Sequence, residues 1–190
     1  MKFVQTEIPD VILVKPTVIE DHRGFFMESY HIEKFKRGGI DCTFVQDNHA
    51  KSIQNTLRGL HFQVKYPQAK LLCCLKGKVF DVAVDIRKDS EYFGKWVGVE
   101  LSEDNKFQLF IPKGFAHGYY VVSETAEIAY KCSDIYHPEY EKGIRWDDPE
   151  IGIEWPGTDP VLSKRDINLP MLHSLDINRD YCFEQEKTDK

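Results

Sequence analysis

Thr56-Leu57-Arg58-Gly59-Leu60-His61-Phe62-Gln63, followed by Lys70 and later by Ile111-Pro112-Lys113-Gly114-Phe115-Ala116-His117-Gly118, carries the plainest strand signal in this chain. An Arg, a Lys and two His interrupt otherwise apolar runs, and alternation along a strand would send them to the inner face with the core. Polar groups directed inward cost free energy unless they are paired or used. The leading expectation is therefore a solvent-shielded pocket for an anionic substrate, with an imidazole placed to move protons.

Working outward, similar short runs recur: Val11 to Val14, Phe44 to Gln46, Lys70 to Leu75, Val79 to Asp85, Trp96 to Leu101, Lys106 to Ile111, Gly118 to Val122 and Glu127 to Cys132. Each is rich in Val, Ile, Phe or Tyr and is bounded by turn chemistry such as Lys76-Gly77-Lys78 or Ser123-Glu124-Thr125, the pattern of β-strands in a sandwich or barrel. Helix is scarce. Ser29 is a candidate cap for a helix over His31 to Arg37 closed by Gly38-Gly39, and a second short turn is expected from Ser163 over Lys164, Arg165 and Asp166. The expected fold class is all-β, an antiparallel double-sheet jelly roll able to enclose a small ligand, with other sandwich topologies left open.

The 190 residues fit one domain spanning residues 1–190, with its core at about 10–170 and a charged tail, 178–190, expected to be mobile. The N-terminus turns polar at once and no apolar run is long enough to span a bilayer, so a cytoplasmic address without membrane contact is expected. A net charge of −6 argues against nucleic acid as a partner. Five cysteines without a Cys-x-x-Cys pair suggest neither a disulfide framework nor a zinc knuckle.

Period-two spacing puts His61 and Gln63 on one side of a strand. Arg58 falls on the opposite parity unless Gly59 marks a bulge. A neutral His61 can accept a proton if a carboxylate fixes its tautomer, and Asp81, Asp85 and Asp166 are all candidates on spacing. Lys70 is a candidate oxyanion stabiliser, and Tyr130, on a face with Ile128, a candidate general acid. The histidines include no His-x-His, so a metal site is not expected. Asp21-His22-Arg23-Gly24-Phe25-Phe26-Met27-Glu28 and Val45-Gln46-Asp47-Asn48-His49 combine cations, amides and rings in a way that suits a nucleotide, while a Gly-rich phosphate loop is missing.

These blocks, together with Gln68-Ala69-Lys70-Leu71, Gly77 to Arg87, Phe93-Gly94-Lys95-Trp96, Tyr130-Lys131-Cys132 and Gly143 to Pro149, resemble the dTDP-4-dehydrorhamnose 3,5-epimerases, cofactor-free sugar-nucleotide isomerases of the cupin fold that serve dTDP-rhamnose biosynthesis. The resemblance covers nearly all of the segment from Val14 to Pro170, and the tail after Pro170 has no counterpart in it. It implies His61 as general base, Tyr130 as general acid and Asp166 as the carboxylate paired to His61. It also implies substrate contacts from Arg23, Glu28, Gln46, Asn48, Arg58, Lys70, His117, Glu141 and Arg165, the last standing where the family pattern has Lys. A homodimer is implied, with an edge strand or N-terminal segment crossing to the partner, and dTDP-4-dehydro-6-deoxyglucose as the small-molecule partner.

Overall fold

Strand-forming runs that are apolar on both faces need cover on both faces, and the fold provides it with two packed sheets and an outer layer on each. The structure is a computed structural model that describes residues 1–175; the expected mobile tail and Cys182 lie outside the described residues. In chain order the elements are β1 (Lys2–Gln5), β2 (Ile12–Lys15), β3 (Val18–Asp21), β4 (Gly24–Met27), α1 (Ile32–Arg37), β5 (Gln46–Ile53), β6 (Leu57–Gln63), β7 (Lys70–Lys76), β8 (Lys78–Asp85), β9 (Trp96–Ser102), β10 (Gln108–Ile111), β11 (Phe115–Val121), β12 (Thr125–Cys132), β13 (Glu141–Gly143) and α2 (Lys164–Ile167).

A six-stranded antiparallel sheet, β1-β2-β10-β7-β12-β5, faces a five-stranded one, β13-β6-β11-β8-β9. From β5 to β8 each strand lies in the sheet opposite its predecessor, and β9 to β12 alternate likewise, which is the winding of a jelly roll. Leu72, Val79, Ala83, Leu109, Ile111, Val121 and Ile128 fill the space between the sheets. On the outside of the five-stranded sheet, Leu60, Phe62, Val82, Val84 and Ala116 are covered by Ile144, Ile151 and Leu172. On the outside of the other, Ile12, Val14, Leu71 and Phe110 pack with Phe35 and Ile40. Each such Val, Leu, Ile or Phe side chain contributes roughly 1.5–3 kcal/mol by leaving water.

The structure departs from the sequence reading in several elements. α1 has His31 at its N-cap with no side-chain bond, not Ser29; the Ser29 carbonyl instead accepts Gln108 Nε2–H at 2.9 Å, tying that residue to β10. So short a helix has little stability of its own, and buried Phe35 anchors it, with ring centroids 5.3 Å from Phe3 and 4.8 Å from Tyr30. β5 begins where the expected strand ended: its sequence, QDNHAKSI, has almost no apolar alternation, and its eight residues are held by continuous pairing with β12. The β3–β4 hairpin, whose residues suit a nucleotide but carry no strand signal, forms a separate two-stranded sheet carrying exposed Ile19, Phe25 and Phe26. Among the described residues, no helix is long and apolar enough to cross a membrane.

One glycine sets the geometry of the inner face. Gly59 has φ +120°, and a Cβ there would lie 2.6 Å from both Gly118 Cα and His117 O. Gly59→Ala should therefore cost at least the ~1–3 kcal/mol of a strained backbone residue and push β6 from β11. The check is a fall in the urea midpoint at unchanged m-value; a variant equal to the parent would show the close approach to be dispensable.

Candidate active site

The bulge on which Arg58 depended is present. His61 pairs with His117 and Arg58 with Tyr119, so the register shifts between them: three residues advance on β6 against two on β11. Arg58 thereby joins the inner face, where its Nε donates to Ser52 Oγ at 3.1 Å. Across the interior, register brings Lys70 beside Cys132, Cys132 beside Gln46, and Tyr130 beside Asn48. The imidazoles thus belong to one sheet and the Lys and Tyr to the other.

Spacing left three carboxylates open for His61, and the tertiary structure gives each a different partner. Asp166, buried on α2, lies 2.7 Å from His61 Nε2 and accepts a hydrogen bond from its N–H in the tautomer that leaves Nδ1 basic. Asp81 lies 3.1 Å from His117 Nε2. Asp85 is occupied by Arg87, at 3.0 and 2.6 Å, and by the Ser90 hydroxyl. Ser163 Oγ caps α2 by accepting the Asp166 N–H at 3.0 Å, as its sequence predicts, and this cap presents the Asp166 side chain to β6.

Glu141, opening β13, approaches the other face of the imidazole, with Oε1 3.9 Å from His61 Nδ1. Its second oxygen accepts Tyr136 O–H at 2.5 Å and an Arg165 N–H. Burial alone would raise both the Glu141 and Asp166 carboxyls; hydrogen bonds from Tyr136 and Arg165 to the first, and from His61 to the second, pull them below the usual carboxylate range. Both are therefore anionic near neutral pH.

Burial dominates elsewhere. It lowers the Lys70 ammonium, opposed by the charges of Cys132, Glu141 and Asp81. It pushes the Tyr130 phenol up to about 12, so Tyr130 holds its proton and is available as an acid. It also lowers His117, against the pull of Asp81. A ketone reaching this interior would meet an oriented imidazole from one sheet, and an ammonium and a protonated phenol from the other.

Gln46 and Asn48 sit together on β5, Gln46 Nε2 donating to Asn48 Oδ1 at 3.1 Å. Gln63 is absorbed structurally: its amide donates to the Tyr66 and Ile135 carbonyls and accepts the His137 N–H, tying the turn after β6 to the segment after β12. Arg23 and Glu28 are not brought to His61 within this chain. Arg23 clamps Asp21, at 2.5 Å, and Glu28 accepts Lys34 Nζ at 2.6 Å. A groove of about 250 Å³ lies against this hairpin, lined by Ile19, Phe26, Met27 and Glu28, away from the imidazole. Tyr136, which bonds Glu141, lies in a loop where no periodicity marks it, and Cys132 reaches Lys70 only through strand register. Among the described residues, no group of three or more His, Cys, Asp or Glu side chains is arranged to hold a metal ion.

The profile of the family described as dTDP-4-dehydrorhamnose 3,5-epimerase matches residues 5–174. The dTDP-4-dehydrorhamnose 3,5-epimerase of Shigella flexneri is 55% identical over 170 residues, 88% of this chain and 94% of the relative; that of Escherichia coli K12 is 53% identical over 178 residues, 92% and 96%. Among solved structures, a dTDP-6-deoxy-D-glucose-3,5-epimerase of Legionella pneumophila in complex with dTDP-4-keto-L-rhamnose superposes with a TM-score of 0.92 at 45% identity, covering 97% of this chain and 99% of that one. A helix-poor, two-sheet interior with paired imidazole and carboxylate thus coincides with whole-length similarity: the chain belongs to the dTDP-4-dehydrorhamnose 3,5-epimerase family.

Proposed function

We propose that this isomerase epimerises C3 and C5 of dTDP-4-dehydro-6-deoxy-D-glucose to give dTDP-4-dehydro-L-rhamnose. The observation that carries the reading is His61, held by Asp166 at 2.7 Å on one sheet, facing Lys70 and Tyr130 on the other. The C4 ketone acidifies the hydrogens on C3 and C5. His61 removes one of them, the electron pair moves into an enolate, and the negative charge collects on the C4 oxygen. Lys70 donates a hydrogen bond to that oxygen. Tyr130 delivers its proton to the opposite face of the carbon, and exchange with solvent returns His61 and Tyr130 to their starting states, so the balance is an isomerisation. The acidity conferred by the ketone makes a redox cofactor unnecessary. Arg58, Gln46, Asn48, His117, Glu141 and Arg165 hold the nucleotide sugar, the cations suiting its diphosphate.

The remaining two contacts point to a homodimer. Arg23 and Glu28 lie on a hairpin outside both main sheets, beside exposed Phe25 and Phe26, and a hairpin of that kind has a reason to be apolar if it packs on a second copy. The reading is that each hairpin reaches the partner's cavity, completing the site in trans.

Proton NMR of dTDP-4-dehydro-6-deoxyglucose turning over in D₂O tests the activity: deuterium at both C3 and C5 is expected, and exchange at one carbon alone would make the chain a single-position epimerase. His61→Ala should lose about 10²–10⁴-fold in turnover while still binding dTDP; activity equal to the parent would remove His61 from the mechanism. Asp166→Asn should fold and bind but turn over slowly, whereas an unchanged rate with a lowered melting temperature would make Asp166 structural.

For Lys70 the sign follows from its charge. The ammonium is lost as pH rises, and its folded pKa is depressed, so the alkaline limb of kcat/KM should lie below the ordinary lysine range. Lys70→Arg, which stays charged, should move that limb upward at reduced kcat; a limb that does not move would assign it to another group. For the dimer, co-expressed Arg23→Ala and His61→Ala chains should recover activity, about a quarter of the parental value if the chains mix freely and each site draws on both protomers. A monomer in solution, or no recovery, would put Arg23 outside the site.

A further inference from the structure

Asp81 is a carboxylate to which the steps above give no task. It lies inside β8 and is 0% exposed. Both of its oxygens are 3.1 Å from His117 Nε2. A buried charge retained in a β interior asks for a reason, because an apolar residue of similar volume would fill the same space without desolvation. His117 is itself 7% exposed, and among the described residues no group pairs with its Nδ1.

The protonation state of that ring follows from its surroundings. Burial lowers His117, Asp81 on β8 opposes, and the charges of Lys70 on β7 and His61 on β6 act in the same direction as burial. The ring is therefore neutral at neutral pH, with a single N–H. Against a carboxylate, which can only accept, that N–H belongs on Nε2. Nδ1 then presents a lone pair, and the group it requires is a donor. His117 is the direct cross-strand partner of His61, so side chains at the two positions emerge side by side.

We infer that Asp81 is a positioning residue that fixes His117 as the Nε2–H tautomer, so that Nδ1 accepts a hydrogen bond from a hydroxyl of the sugar held next to His61. This rests on the nucleotide-sugar reading above and adds to it the polarity of one contact: an acceptor aimed at a hydroxyl, rather than a second donor for the enolate. A site built to bond a hydroxyl discriminates against a sugar that lacks it, because the buried acceptor is then left unmatched.

The test is two-bond ¹H–¹⁵N correlation on full-length protein labelled with ¹⁵N-histidine, with His117→Gln assigning the signal. Without ligand, Nδ1 should be pyridine-like and Nε2 pyrrole-like, without titration near pH 6.5. Addition of dTDP should leave Nδ1 in place, and dTDP-glucose, which has hydroxyls but no ketone, should move it in the direction of an accepted hydrogen bond. Asp81→Asn should mix the tautomers and raise KM roughly tenfold, the worth of one hydrogen bond, while deuterium exchange at C3 and C5 persists.

A protonated Nδ1, or an Nδ1 indifferent to dTDP-glucose when that ligand binds, would overturn the inference and leave the epimerase reading untouched. Loss of exchange at one carbon alone in Asp81→Asn, with binding intact, would make His117 a base and likewise overturn it. Failure of both dTDP and dTDP-glucose to perturb any histidine would overturn the nucleotide-sugar reading, and the inference with it.

Discussion

A carboxylate buried against the two sheets must be matched, and the His61–Asp166 contact at 2.7 Å is the match on which the rest depends. A carboxylate taken out of water loses hydration worth several kcal/mol, which only a well-placed donor restores. Asp166 obtains one from the His61 ring, and the Ser163 hydroxyl, by accepting the Asp166 backbone N–H, forms the helix cap that orients it. That requirement fixes α2 against β6 and makes the C-terminal part of the described chain, otherwise cover for the five-stranded sheet, a component of the site.

The same logic runs through the interior. His117 has Asp81, and Glu141 has Tyr136 and Arg165, while Lys70 is lowered by burial that more distant negative charge only partly opposes. An ammonium without a fixed carboxylate is free to meet charge that develops during a reaction. The phenol of Tyr130, lifted by burial to about 12, is the complementary case, a proton held until something more basic arises beside it. The two sheets thus divide acid from base, and the space between them, closed by apolar side chains, strengthens each interaction it encloses.

The hairpin bearing Arg23 and Glu28 stands outside this economy of pairing. Its charges are satisfied by near neighbours in sequence, Asp21 and Lys34, both exposed, and such pairs contribute little and exchange readily. Its rings are left in water. Both features describe a segment prepared to contact something else at small cost.

How much of this was legible in the chain follows from how far each signal reaches. Strands β6, β7, β8 and β12 announce themselves because β-branched and aromatic runs have few alternatives, and the Ser163 cap is a matter of three residues. β5 is a strand only because β12 pairs with it along its length, so its polar sequence could not say so. By itself the sequence determined an all-β fold and the residue types of the chemistry, and, through its resemblance between Val14 and Pro170, the family. Only the tertiary structure decided which carboxylate serves which base: Asp81, Asp85 and Asp166 are alike in composition and spacing, and they become different when register, a bulge at Gly59 and a capped helix bring one to His117, one to Arg87 and one to His61. Spacing along a chain fixes the face on which a side chain emerges; Asp85 finds its partner two residues on, whereas the partners of Asp81 and Asp166 are set by strands that their local sequence does not contain.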